Sequence, residues 1–261
     1  MKIPAYHINA FAGTGFSGNP AMVCPLDRWL DDEQLQLIAR ENQLPVTAFF
    51  VEDDDQYALR WFTPTMELQI CGHGTLAAAA VLFDILDASK TSVIFQTKGG
   101  AFPVVKDGLL ICMDLPVHEA VSCSTMPEDL VRALGRAPAE ILKATSNYLA
   151  VYEGEADIRA IAPDMELLQA VDGLGVIVTA RGEESDFVSR YFAPKIGIPE
   201  DAATGSTHCT LAPYWTQRFG RRKLHAIQLS QRGGELWCEH RGDSIRIFAR
   251  AVRYAEGFLY V

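Results

Sequence analysis

Residues 70–80 read "ICGHGTLAAAA": a cysteine and a histidine set among glycines, directly ahead of a run that can only be helix. A helix N-terminus carries unpaired N–H groups and about half a unit of positive charge. Glycine lets that backbone curl close to a ligand. Gly72 and Gly74 with His73 thus offer a cup suited to a small anion, most simply a carboxylate, though on this motif alone a helix cap that binds only water is the favoured reading. Cys71 could be a thiol made more acidic by the helix start, or a small buried cysteine. His73 could exchange a proton with a substrate, or be a buried structural histidine. A second cup lies in "EDAATGS" at 200–206, where Gly205 and Ser206 lead into another helix and Asp201 stands four residues ahead of Gly205. An acid near helix N–H groups stays ionised and can accept a proton. Read alone, Asp201 is better taken as a solvated loop acid or an N-cap, and Glu200 beside it reads as solvated.

The two cups belong to a repeat. "ALRWFTP" at 58–64 returns as "VSRYFAP" at 188–194, an offset of 130, and "TKGG" at 97–100 returns as "QRGG" at 231–234, an offset of 134. Laying Gly74 on Gly205 needs an offset of 131. Three matches in the same order imply two similar half-domains, 1–116 and 117–250, with the C-terminal strand 251–261 expected to return to the first. Asp31 reads as an N-cap with Gln34 at the capping-box position. The matching helix is expected in "TMPEDLVRALG", opened by Thr125 and closed by Gly135. "TAFFVE" and "SNYLAVY" read as the strands that follow. Each half then has its Arg-x-Phe-x-Pro strand, a glycine-led helix and hairpins, with turns at Gly99-Gly100, Asp107-Gly108, Gly233-Gly234 and Gly242-Asp243. Arg241-Gly242-Asp243 spells an integrin-type tripeptide but reads as a plain hairpin turn. Leu76 to Leu86 is apolar on nearly every face, so that helix must be buried all round. A strongly bent sheet wrapped around one central helix achieves this. Two such units leave a cleft into which both helix starts can point.

With 261 residues, about half of them apolar, the chain has the composition of a soluble globular protein. Its net charge of −10 argues against nucleic acid or an anionic membrane as partner. The N-terminus has no signal-peptide pattern, and the longest apolar run, Leu76 to Phe83, is too short to span a bilayer. Six cysteines lie scattered with no CxxC pair, so the expectation is a reduced, cytoplasmic protein without a structural metal.

The ordered set "FSGNPAMVCPLDRWL", "ENQLPVTAFF", "LRWFTPTMELQICGHGTLAAAAVLF", "RYFAPKIGIPEDAATGSTHCTLAPYW" and "SQRGG" resembles the PhzF family of phenazine-biosynthesis-like isomerases, nearly end to end. The resemblance implies a diaminopimelate epimerase-like α+β fold: two pseudo-symmetric halves, each a curved, mostly antiparallel sheet round a central helix, with the active site in the cleft. It implies cofactor-independent proton transfer on a small carboxylate-bearing substrate, and by analogy a homodimer. Asp201 matches the family's aspartate in "EDPxTGS", and His73 the histidine of its "GH" motif. Gly72, Gly74, Gly205 and Ser206 match its carboxylate-binding turns, and Asn19 lies in its "GNP". One departure matters. The family usually reads "LSETAF" where this chain reads "LPVTAF", so a principal acid/base glutamate of the phenazine-pathway enzyme is Val46 here. Phenazine-pathway activity is expected to be absent. "CGHG" also resembles the first-cysteine motif of proline racemases and diaminopimelate epimerases. Their second thiol falls at Ala202, and Cys209, expected about two turns into its helix, is too far to replace it.

Three function classes follow. The first is an isomerase or epimerase in which Asp201 removes a proton and His73 or Cys71 returns one. The second is a small-carboxylate-binding protein that has lost catalysis, supported by Val46. A hydrolase using Cys71 or Ser206 has weak support, since no histidine–acid relay is evident in the sequence.

Overall fold

The computed structural model describes residues 1–53, 56–123 and 127–261. The chain divides into two compact units, Met1–Asp114 with Phe248–Val261, and Leu115–Ile247. In the first, β1 (Lys2–Ala10) and β2 (Asn19–Leu26) form an antiparallel pair. Helix α1 (Asp32–Asn42) then crosses over to β3 (Val46–Asp53), which runs parallel to β2. Strand β4 (Gln56–Phe62) returns antiparallel to β3. After the short β5 (Glu67–Leu68), helix α2 (Gly72–Val81) crosses over to β6 (Ser92–Thr97), parallel to β4. Strands β7 (Gly100–Asp107) and β8 (Leu110–Pro116) continue as a meander. The last strand of the chain, β17 (Ala251–Tyr260), pairs antiparallel with β1.

The second unit contains β9 (Val121–Ser122), α3 (Glu128–Leu134), β10 (Glu140–Ala144) and β11 (Asn147–Val151). Helices α4 (Glu155–Ala160) and α5 (Met165–Ala170) cross over to β12 (Gly175–Arg181), parallel to β11. Strand β13 (Phe187–Phe192) returns antiparallel to β12. Helix α6 (His208–Phe219) crosses over to β14 (Lys223–Gln228), parallel to β13, and β15 (Gly234–His240) and β16 (Ser244–Ala249) follow. Each unit therefore has two parallel pairs bridged by helix, in a sheet that is otherwise antiparallel. This is the duplicated α+β plan, and it shows which elements correspond.

That correspondence corrects the sequence reading. By topology α1 matches α5, not the helix near 128–134, and "TAFFVE" in β3 matches β12, not β11. Even the caps agree: Asp31 accepts from the Gln34 N–H at 2.8 Å, and Asp164 accepts from the N–H groups of Glu166 and Leu167. Helix α3 lies before the first hairpin of its unit and has no counterpart. It ends at Gly135, whose φ of 68° suits glycine. Pro127 occupies its N-cap position, and Thr125 lies outside the described residues.

Helix α2 packs against β1, β2, β3 and β17. Every residue from Leu76 to Phe83 is buried. Beyond Val81 the helix widens into a π turn, Leu82–Leu86, at which Asp84 and Leu86 reach solvent. Helix α6 is buried from His208 to Trp215, packs on β14 and β15, and ties to β12 through a 3.0 Å bond from Trp215 Nε1 to Thr179 Oγ1. Among the described residues no helix is long and apolar enough to cross a membrane.

If burial of α2 organises the first unit, Leu76→Ala will lower its unfolding free energy in urea by about 3 kcal/mol. Leu37→Ala, at an exposed position of α1, will change it by less than about 0.5 kcal/mol.

Candidate active site

The approach to each glycine turn is locked by an arginine. Arg60 of β4 binds Glu67 through two bonds of 2.7 and 2.9 Å, and Arg190 of β13 binds Glu200 through two bonds of 2.7 and 3.0 Å. These are the arginines of the repeated strand motif. Bidentate pairing fixes the plane of both groups and so the chain that carries them. Glu67 lies four residues ahead of Cys71, and Glu200 immediately precedes Asp201. The expectation of a solvated Glu200 is thus corrected: its side chain is half-buried and committed to Arg190. Arg190 also donates to the carbonyls of Ile158 and Ile161. Glu67 is held below the usual carboxylate range, first by the hydrogen bonds from Arg60 and further by Lys98.

A second brace comes from the glycine hairpins. A Cβ on Gly99 would stand 2.7 Å from the Gln69 carbonyl, so "TKGG" passes directly against the segment leading to Cys71. In "LSQRGG" the equivalent task falls to Ser230, whose hydroxyl donates to the Ala202 carbonyl at 2.5 Å.

At the first turn, Cys71 is the N-cap of α2 and no side chain caps the helix. The Thr75 N–H and hydroxyl both bond the Cys71 carbonyl, at 3.0 and 2.8 Å. The N–H groups of Gly72, His73 and Gly74 find no acceptor among the described residues. The Cys71 sulfur lies 3.4 Å from Nδ1 of His73, so one proton can be shared between thiol and imidazole. His73 Nε2 is shut off from water without a protein partner among the described residues, although the residue as a whole is half-buried. Burial lowers the His73 pKa to about 4, so the ring is neutral near pH 7. The two glycines differ. A Cβ on Gly74 would stand 2.6 Å from Trp61 Cδ1 and 3.2 Å from the Cys71 sulfur, whereas Gly72 has nothing nearer than Met113 Sδ at 4.0 Å. Trp61 is itself wholly buried, and its N–H has no acceptor among the described residues.

The second turn is built differently. Helix α6 begins at His208, so Gly205 and Ser206 precede it instead of forming its first turn. The N–H groups of His208 and Cys209 close back onto the carbonyls of Gly205 and Ser206, each at 3.1 Å. Cys209 is consequently the second residue of α6, not two turns into it, and burial pushes its pKa up to about 12. Gly205 is buried and Ser206 exposed. Asp201 is half-buried and pinned at three points. Its N–H bonds the Tyr191 carbonyl at 3.0 Å, its carbonyl accepts from Gln228 Nε2 at 2.8 Å, and its carboxylate accepts from the Thr204 hydroxyl at 2.5 Å. Tyr191 stays protonated, its pKa raised to about 12 by burial and then by the neighbouring Asp201 charge. His208 donates from Nδ1 to the Thr204 carbonyl at 2.9 Å, which fixes its tautomer. Burial lowers its pKa to about 4.

Asn19 is the first residue of β2, wholly buried opposite Ala10, on a strand that packs against α2. Val46 is the first residue of β3 and is also wholly buried. Among the described residues no cluster of His, Cys, Asp and Glu could hold a metal ion. Thr204, His208, Gln228 and Trp61 were not singled out from sequence. Gln228 ends the strand before the noticed "QRGG", and Trp61 sits inside the repeated motif.

A family model described as phenazine biosynthesis-like protein, PhzC-PhzF, matches residues 8–257. The chain belongs to the PhzF family. It is 47% identical, over the full length of both chains, to a Pseudomonas aeruginosa protein described as an uncharacterized isomerase. It is 37% identical to the human phenazine biosynthesis-like domain-containing protein, covering 99% of each. A crystal structure of a PhzF-family protein from Enterococcus faecalis superposes with a TM-score of 0.96 at 40% identity over both full chains. The PhzF assignment and the duplicated α+β fold agree with the reading from sequence.

Two stability tests follow. Gly74→Ala will destabilise the protein by about 2 kcal/mol through overpacking against Trp61, whereas Gly72→Ala will be neutral or stabilising in urea melts. His73 and His208 have folded-state pKa values below the unfolded value of about 6.5. Their contribution is therefore complete above that pH and is lost as pH falls toward about 4, where the unfolded chain binds protons that the folded chain refuses. Unfolding free energy will fall across this window, and His208→Gln will reduce the slope by about one proton.

Proposed function

We propose that the chain is a cofactor-independent isomerase or epimerase of a small amino- or hydroxy-carboxylate. Asp201 takes the proton from the carbon beside the substrate carboxylate. The electron pair left behind passes into that carboxylate as enolate-like charge. The N–H groups of the glycine turns, at Gly72 and Gly74 and at Gly205 and Ser206, stabilise it. The Cys71–His73 pair returns a proton: the thiol gives its hydrogen to carbon, and the neutral imidazole then donates to the thiolate. The observation that carries this reading is the anchoring of Asp201, a carboxylate held by backbone and side chain on both sides of its turn. The description of PhzF-family relatives as isomerases supports the reaction class.

The second reading is a binding protein for small carboxylates, and Val46 favours it. Where the resemblance calls for an acid/base glutamate, this chain has a side chain that cannot carry a proton.

Small 2-amino and 2-hydroxy acids incubated in deuterated water separate the two. The isomerase predicts deuterium uptake at the carbon beside the carboxylate, reduced about a hundredfold or more in Asp201→Asn. Uptake that survives this change removes Asp201 from the mechanism. Cys71→Ser and His73→Gln will each slow exchange, and the double variant will be no slower than the worse single one if the two act as a pair. The binding protein instead predicts thermal stabilisation by the acids with no exchange, and exchange appearing only in Val46→Glu.

A further inference from the structure

Gln228 ends β14, is fully buried, and has every polar atom committed. Its Oε1 accepts from the Thr204 N–H at 2.8 Å. Its Nε2 donates to the Asp201 carbonyl at 2.8 Å and to the Thr204 hydroxyl oxygen at 3.1 Å. The amide cannot be turned over, because a backbone N–H only donates and a carbonyl only accepts. The Thr204 oxygen therefore receives a hydrogen from Gln228, and its own hydrogen must point elsewhere. The acceptor it meets is Oδ2 of Asp201, at 2.5 Å.

We propose that Gln228 is a positioning residue that sets the direction of the Thr204 hydroxyl, so that Thr204 always donates to the Asp201 carboxylate and never accepts from it. The proposal rests on Asp201 being the base, and it states how that base is kept ionised and in one orientation. A donor-only contact favours the charged form and fixes which oxygen is occupied. The Thr204 residue has no freedom to move away. Its carbonyl accepts from the Thr207 hydroxyl and from His208 Nδ1, at 2.8 and 2.9 Å.

The duplicated fold supplies an internal comparison. At an offset of 131 the counterparts of Thr204 and Gln228 are His73 and Thr97, and that of Asp201 is Ile70. Thr97 turns into its own hairpin, accepting from the Gly99 N–H and donating to the Gly100 carbonyl. The framework is present twice and the relay once, on the unit that holds the carboxylate.

The test reads Asp201 directly, by following its side-chain carboxyl carbon with pH by NMR in 13C-aspartate-labelled protein. Thr204→Val keeps shape and removes the hydroxyl, and Thr204→Ser keeps the hydroxyl. The Asp201 titration midpoint will move up in Thr204→Val and stay with wild type in Thr204→Ser. Gln228→Met will move it up in the wild-type background and no further in Thr204→Val, because Gln228 reaches the carboxylate through that hydroxyl. The charged and titratable groups on these elements include Arg190, Tyr191, Glu200, His208, Lys223, His225 and Arg232. They are unaltered throughout, so their field on Asp201 is common to all variants. An unmoved midpoint in Thr204→Val overturns the proposal by itself, whether or not Gln228→Met folds. An equal Gln228→Met shift in both backgrounds overturns it as well. If these shifts appear while wild type exchanges no deuterium with any acid tested, the relay stands and the isomerase reading falls.

Discussion

A helix with no polar face must have protein on every side, and α2 is such a helix. The first unit meets this demand by using the helix as the crossover between two parallel strands, so that sheet curves round it. Each crossover helix is reached through a connection that leaves the end of the strand feeding it. Residues there stand at the rim of the sheet with free N–H groups, backed by a packed interior. The second unit repeats the device with α6 between β13 and β14. The same constraint that buries the helices delivers the two glycine turns, each in the connection that follows an arginine-bearing strand.

The arginine–glutamate pairs convert this delivery into fixed geometry. A half-buried bidentate pair costs desolvation, and its value lies in orientation more than in net stability. Arg190 shows this best, because it binds Glu200 and two carbonyls of the helical segment at 158–161 together. The carboxylate it holds belongs to the residue directly before Asp201. Duplication preserved the clamp in both units and let the chemistry diverge: His73 stands where the other unit has Thr204, and Ile70 where it has Asp201.

Much of this was legible in sequence where the signal is local or periodic. The all-apolar helix from Leu76, the Asp31 cap, the Gly135 stop and the offset near 130 each follow from short-range chemistry. The correspondence of α1 with α5 was not legible. The "TMPEDLVRALG" segment looks equally helical and lies nearer the expected place, and only strand pairing shows that α3 is extra. The start of α6 was misplaced because glycine marks a turn without saying whether helix begins at once. Glu200 was misread because a glutamate's partner ten residues away in sequence leaves no periodic trace. Gln228 was missed for the same reason: its bonds to residues 201 and 204 exist only once β14 has docked beside β13.

The two turns differ in how they are made rigid, and the difference suits their contents. At Gly74 the constraint is steric: Trp61 leaves no room for a side chain, and the helix itself holds the amides. Around Asp201 the constraint is polar: Gln228, Ser230, Thr204 and His208 tie the turn together with hydrogen bonds. Steric packing fixes backbone position but says nothing about proton direction. A buried polar network in which every donor faces an acceptor also fixes where hydrogens lie, and a half-satisfied one would be costly enough to rearrange. Backbone amides that need only a fixed position are served by the first kind of rigidity. A carboxylate that must keep one orientation needs the second, and the hydrogen bonds around Asp201 are of that kind.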